Sequence, residues 1–306
     1  MALTLAEASK LSNDVLLQGV VETIVKDSPI LQNLPFIEIV GNGLTYNQEN
    51  TLPDIDFYDV GDAWTESTPT FDQITANLKI MGGDADVDNF LKTTRSNVQD
   101  LEAAVIELKA KALQQKLEDT FIYGDSATNP KQFDGLRKLI DTTSTSDQVV
   151  AMGATGATLT LNKLDELIDA VKGGKPDMLL VSRRSRRKIN ALVRAGGGLM
   201  DTDRDRWGNF VQLWDGIPIG ANDWILDTHV VGGSVETGTT GGDCSTIYAI
   251  QFGEGGLCGL TSPGFLQVEP IGSLDTKDAS RTRVKWYCSL ALFSSVKAAA
   301  LIGVQD

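Results

Sequence analysis

Residues 96–124, "SNVQDLEAAVIELKAKALQQKLEDTFIYG", decide the fold of this chain. Ser96 is an N-cap candidate with Gln99 at capping-box spacing, and Gly124 supplies a stop. Between them Val98, Leu101, Val105, Leu108 and Ala112 recur at helical spacing, and the stripe continues through Leu113, Leu117 and Phe121. About 26 residues at 1.5 Å each make a rod of roughly 39 Å, well beyond the usual helix. Such a helix is a spine for other elements to pack on, with Glu, Lys and Gln on its outer face.

Upstream, "FDQITANLKI" (71–80) alternates, with Ile74, Ala76, Leu78 and Ile80 on one face and Thr75, Asn77 and Lys79 on the other, which predicts a half-buried strand. The stretch before it is broken by Pro, Gly, Asn and Asp. Residues 41–82 are therefore expected to form a long two-stranded excursion with an acidic, turn-rich tip. A lone hairpin is marginal and needs a surface to lie on. Still earlier, Leu16, Leu17, Val20, Val21, Ile24 and Val25 form a helical stripe closed by Pro29. "DADVD" (84–88) begins like a calcium loop, but Asn89 replaces the required Gly and Arg95 the required Glu, so an acidic turn before the spine is expected instead.

Downstream, the Ser-, Thr- and Gly-rich "SDQVVAMGATGATLTL" (146–161) marks a domain boundary. Then come a helix ("NKLDELIDAVKGG", 162–174), a buried strand ("DMLLVS", 177–182) and another helix ("RRSRRKINALVRAGGG", 183–198), the alternation of an α/β or α+β unit. Near the C-terminus "TRVKWYCSLALF" (282–293) returns to strand, with Val284, Trp286, Cys288, Leu290 and Leu292 on one face.

Composition narrows the function. The chain has 306 residues, 27 basic against 41 acidic, for a net charge of −14. The first hundred residues alone hold sixteen acids and five bases. That balance opposes any chain-wide attraction to phosphate, so nucleic-acid contact has to be local. Cys244, Cys258 and Cys288 are odd in number and lack C-x-x-C spacing, which supports neither a disulfide framework nor a zinc site. The N-terminus lacks the basic region and apolar run of a signal peptide. The most apolar window, "CSLALFSSVKAAALIGV" (288–304), contains Lys297 and falls short of the roughly 20 apolar residues of a membrane span.

No catalytic frame emerges. The single histidine, His229, has Asp227 and Ser234 nearby, but no G-x-S-x-G elbow exists, and a lone histidine beside a Gly-rich loop reads as a surface or hydrogen-bonded structural residue. "GEGGLCG" (253–259) and "GGKP" (173–176) fail as phosphate loops. Neither a metal nor a cofactor is expected.

"SRRSRRKINALVRA" (182–195) carries six bases. On a helical wheel Ser185, Ile189, Leu192 and Val193 form one face, Arg183, Arg187 and Arg194 lie opposite, and Arg184, Arg186 and Lys188 flank them. No aromatic residue lies between 134 and 206, so a base-stacking platform is not expected. Arginine forks favour interface carboxylates, so contact of these six with other copies of the chain is the favoured reading, with DNA contact the alternative.

The order of elements resembles the tailed-bacteriophage major capsid proteins of the Hong Kong-phage type. The resemblance spans almost the whole chain and rests on the spacing of "YGD" and "FDGL" after the spine, "DMLLVSRRSRRKINAL" and "WDGIPI". It implies an α+β capsid fold: an N-terminal arm (1–40), an E-loop (41–82), a peripheral domain with the spine helix (83–150), an axial domain (151–270) and a C-terminal strand returning to the peripheral domain (271–306). It implies a non-enzymatic subunit forming hexamers and pentamers of itself, closed into an icosahedral shell around double-stranded DNA that is touched non-specifically. A separate scaffolding protein, a portal and a decoration protein are the implied partners, and the implied location is the virion capsid, assembled in the host cytoplasm. An encapsulin-like compartment is the alternative within the fold, and a hydrolase using His229 the alternative outside it.

Overall fold

The computed structural model describes residues 29–95, 101–197, 201–204 and 210–305. The expected helix over residues 16–25 and the cap at Ser96 and Gln99 lie outside them.

Two sheets and the spine helix build the fold. In the five-stranded sheet, β16 (Ala279–Leu292) is central. On one side it pairs with β4 (Lys79–Asp88), and on the other with β15 (Gln267–Ser273) and β14 (Leu257–Thr261), all antiparallel. β1 (Phe36–Glu38) runs parallel to β14. The alternation predicted for β16 holds: Val284, Trp286, Cys288, Leu290 and Leu292 are buried in one cluster beneath α3 (Leu101–Tyr123), the spine. The short helices α1 (Ile30–Asn33) and α4 (Leu136–Leu139) add Ile30 and Leu136 to that cluster. A further helix, α2 (Asn89–Arg95), follows β4.

The spine's stripe is only half as predicted. Leu113, Leu117 and Phe121 are buried, but Leu108 is 42% exposed and Ala112 is exposed too, while Ala104 is buried in their place. With Ala104 buried and Leu108 and Ala112 exposed, one unbroken 3.6-residue stripe does not describe the whole buried face.

The eight-stranded sheet has the order β5 (Val149–Ala151), β17 (Ala298–Gln305), β13 (Ser245–Ile250), β7 (Met178–Val181), β10 (Ile217–Ala221), β9 (Phe210–Trp214) and β8 (Asp201–Arg204), with β6 (Ala157–Thr158) also on β17. Its middle strands are buried on both faces, hence their continuous apolar runs. Leu179, Val181, Ile247, Ala249, Ala299 and Leu301 face α5 (Leu161–Ala170) and α6 (Arg183–Ala195). Met178, Leu180, Tyr248, Ile250, Ala300 and Ile302 face the spine's cluster. The alternation of side chains along a strand thus welds the two sheets through one shared core.

Several expected boundaries shift. The hairpin β2 (Gly43–Thr51) and β3 (Thr70–Asn77) is present, but the predicted strand breaks at Leu78. Residues 79–82 belong to β4 in the five-stranded sheet, because the backbone there pairs with β16 from Lys79↔Cys288 to Asp88↔Ala279. The acidic "DADVD" is consequently strand, not turn. Its carboxylates are satisfied across the sheet: Asp84 by Arg283 and Asp86 by Arg281, each its Cα partner. β14 falls within residues 151–270 and β15 straddles the end of that range, yet both sit in the five-stranded sheet. β17 falls within 271–306 yet inserts between β5 and β13, since Ala-rich chain is narrow enough to be enclosed on both faces.

Candidate assembly surfaces

Helix α6 starts where β7 ends. The Ser182 Oγ, itself buried, accepts the Ser185 N–H at 3.1 Å and caps the helix. Ser185, Ile189 and Val193 are buried as their spacing predicted. The six bases, however, are not one outward row. Arg183 makes a two-pronged contact with Asp223, one arm at 2.7 Å. Arg184 turns along its own chain, donating to the carbonyls of Asp243 (2.6 Å) and Val304 (3.3 Å), with Asp227 at 3.5 Å. Arg194 donates to the Asn190 carbonyl one turn back, at 3.1 Å. Arg186 and Arg187 are exposed and Lys188 is half-buried, and among the described residues none of the three has a carboxylate partner. Sequence periodicity located the helix face; it did not separate arginines already paired within the chain from those with no carboxylate partner among the described residues.

A second surface is the hairpin tip, residues 52–69. Leu52, Ile55, Phe57, Val60 and Trp64 are exposed, Phe57 completely. Tyr58 and Trp64 stack at 4.5 Å and the Asp59 N–H donates to Asp62, so the tip is a shaped knob. The hairpin's base is fixed on its own body, where Tyr46 Oη donates to the Leu292 carbonyl at 2.9 Å and Tyr46 meets Phe293 edge-on.

A third is an open hollow lined by Asp165, Ile168 and Asp169 of α5 together with Trp214 and Asp215. Trp214 Nε1 donates to Asp165 at 3.0 Å, and Lys175 pairs with Asp215 at 2.5 Å.

His229 is fully buried, at the junction of the spine and the eight-stranded sheet. Its Nε2 lies 2.9 Å from the Tyr123 hydroxyl at the spine's end, and that oxygen also accepts the Leu226 N–H. Its Nδ1 lies 2.9 Å from Thr246 Oγ1 and 3.1 Å from Glu236 Oε1. Glu236 lies on the hairpin of β11 (Val230–Gly232) and β12 (Val235–Gly238). It takes further donors from Thr246, from Arg137 Nε (2.8 Å) and from Thr142 (2.9 Å). Burial pushes the Glu236 carboxyl up, but hydrogen bonds from His229, Thr246 and Arg137 and the neighbouring positive charge outweigh it and bring it to about 2. Burial likewise pushes the Tyr123 hydroxyl upward, so it stays protonated. Glu236, Tyr123, Arg137, Thr142 and Thr246 carry no local motif around His229, and sequence reading paired it with Asp227 and Ser234 instead. A histidine with both nitrogens occupied and no exposed atom positions elements; it does not meet a substrate. Cys244, Cys258 and Cys288 are all free and buried. Among the described residues no group of side chains is arranged to hold a metal, and no helix is long and apolar enough to cross a membrane.

Residues 12–162, about half of the chain, match the family model "Major capsid protein GP7". The capsid of a native GTA particle has a chain with TM-score 0.67 and 15% identity, covering 98% of this chain and 97% of that one. A chain from Mycobacterium phage Bobi gives TM-score 0.63 and 15% identity, with 100% and 99% covered. The holo-SrpI encapsulin complex from Synechococcus elongatus PCC 7942 gives TM-score 0.71 and 19% identity, with 100% and 97% covered. No curated protein matches. The chain has the Hong Kong-phage-type α+β capsid fold, and just under half of it resembles the major capsid protein family.

Proposed function

We propose that the chain forms hexamers and pentamers of itself that close into an icosahedral shell around double-stranded DNA. The observation that carries this reading is the hairpin tip: Leu52, Ile55, Phe57, Val60 and Trp64 are left uncovered by their own chain on a knob that is nonetheless ordered by the Tyr58–Trp64 stack. Apolar side chains concentrated on such a projection are stabilised when a neighbouring copy covers them. Net charge −14 supports the same reading, since a lining of that sign does not cling to the genome it encloses. Arg186, Arg187, Lys188 and Arg194 would supply inter-subunit contacts. A separate scaffolding protein, a portal and a decoration protein would complete the particle, put together in the host cytoplasm.

Sedimentation velocity and negative-stain imaging of the purified chain test this: capsomers or closed shells are expected, and a monomer persisting at high concentration refutes it. The encapsulin match favours a second reading, a protein compartment of the same fold. Shell contents separate the two, because nuclease-protected DNA supports the head protein and a packaged protein cargo the compartment.

A further inference from the structure

Helix α6 opens with Arg183, Arg184, Arg186 and Arg187, and no acidic residue stands in its first turn. That end of a helix already presents unpaired N–H groups and the positive pole of the macrodipole, so cations there are unfavourable unless an anion is close. The chain answers for two of the four, with Asp223 on Arg183 and with Asp227 and two carbonyls on Arg184. For Arg186 and Arg187 it has no answer among the described residues. With no carboxylate partner among the described residues, both exposed guanidiniums are available to a counter-charge on another copy.

The opposite conflict exists elsewhere on the same sheet. Asp165 and Asp169 are exposed one turn apart on α5, a spacing at which like charges repel. Asp215 adds a third carboxylate to their hollow. Its ion pair with Lys175 is more than half exposed on both sides and therefore weak. The Asp169 carboxylate has no partner among the described residues.

Placement makes the two conflicts complementary. Asp215 lies two residues before β10, whereas Asp223, which fixes the start of α6 through Arg183, lies two residues after it. β7 runs parallel to β10. The acidic hollow and the arginine pair therefore lie at opposite ends of the same two strands, separated by about 17 Å for five residues of strand. Different, complementary patches at opposite ends of one unit make a head-to-tail contact, the kind that generates rings.

We propose that Arg186 and Arg187 of one copy dock into the hollow formed by Asp165, Asp169 and Asp215 of the next. Guanidinium forks match carboxylates in two-pronged geometry, and the Trp214 ring in the hollow offers a face to a guanidinium plane. The contact rests on the shell reading above and names the surface that the basic helix meets.

Charge exchange tests it. One variant carries Arg186→Glu with Arg187→Glu, a second carries Asp165→Lys with Asp169→Lys, and a third carries all four changes. Thermal unfolding followed by circular dichroism verifies that each folds, and Arg186→Gln with Arg187→Gln serves as a milder version. Either pair alone is expected to lower the assembled fraction at least about ten-fold, the equivalent of roughly 1.4 kcal/mol. The four-fold variant is expected to recover assembly, and an equimolar mixture of the first two variants is expected to recover hexamers, whose six places can alternate and match charge at every contact. Normal assembly of either pair alone overturns the proposal, as does failure of both recoveries. Normal shells that have lost protected DNA in the arginine variant also overturn it, and assign the arginines to the genome. Wild-type protein that assembles while the exchange fails removes this contact only; wild-type protein that stays monomeric removes the shell reading with it.

Discussion

Replacing Glu236 by Gln is the most informative single perturbation of this chain. The carboxylate is 2% exposed and receives Arg137, Thr142, Thr246 and His229. An amide keeps one acceptor but turns an N–H₂ toward Thr246 or Arg137, which are donors themselves. Two lines of reasoning give the size of the effect. Breaking a buried ion pair by removing one partner costs about 3–5 kcal/mol. Independently, a carboxyl brought from 4.5 to about 2 is more stable as the folded anion by about 3 kcal/mol, at 1.36 kcal/mol per pH unit. The sign follows from the lowered value: the stabilisation is complete above pH 4.5 and is lost as pH falls through about 2. By pH 3 about 2 kcal/mol of it has gone. Urea unfolding of wild type and E236Q, at pH 7 and pH 3, should give a stability difference of about 3 kcal/mol at pH 7 that shrinks to about 1 kcal/mol at pH 3. Carboxylates titrating elsewhere cancel in that comparison because both proteins have them. A difference below 1 kcal/mol at pH 7, or one of equal size at both pH values, would refute the reasoning.

Three further outcomes are expected. Leu164→Ala, in the fully buried row of α5, should cost about 2–5 kcal/mol, whereas Leu108→Ala on the exposed side of the spine should stay within about 0.5 kcal/mol, both by urea unfolding. Gly242→Ala should destabilise by at least about 1–3 kcal/mol, because the new methyl group would be driven into the His229 carbonyl, and a melting temperature equal to wild type would contradict that packing. Trp64→Ala should leave unfolding unchanged, since the ring is 81% exposed, but should lower the assembled fraction in sedimentation; unchanged assembly would discount the hairpin tip as a contact.

The two sheets differ in how far they could be read in advance. β16 was legible because Val284, Trp286, Cys288, Leu290 and Leu292 face the core while Arg283 and Lys285 face away, a period-two signal written in the residues. β17 was not, because "AAALIGV" is apolar at every position and buried on both faces, leaving no alternation to detect. The acidic "DADVD" misled for the converse reason. Carboxylates at alternate positions look like turn or ligand chemistry until β16 supplies Arg281 and Arg283 beside them, almost two hundred residues away in sequence.

Local spacing alone determined that this chain has a spine helix, a basic helix after a buried strand, and a projecting acidic hairpin with too little core of its own. Those features depend on neighbours a few residues apart, and their order carried the resemblance to capsid proteins. Only the tertiary structure decided which charges are already spent. Asp223 and Asp227 reach Arg183 and Arg184 but not Arg186 or Arg187, and Glu236 rather than Asp227 reaches His229. Partner choice is set by distance in the folded chain, where charges from remote segments compete for the same few ångströms, and no periodicity in the sequence records the winner.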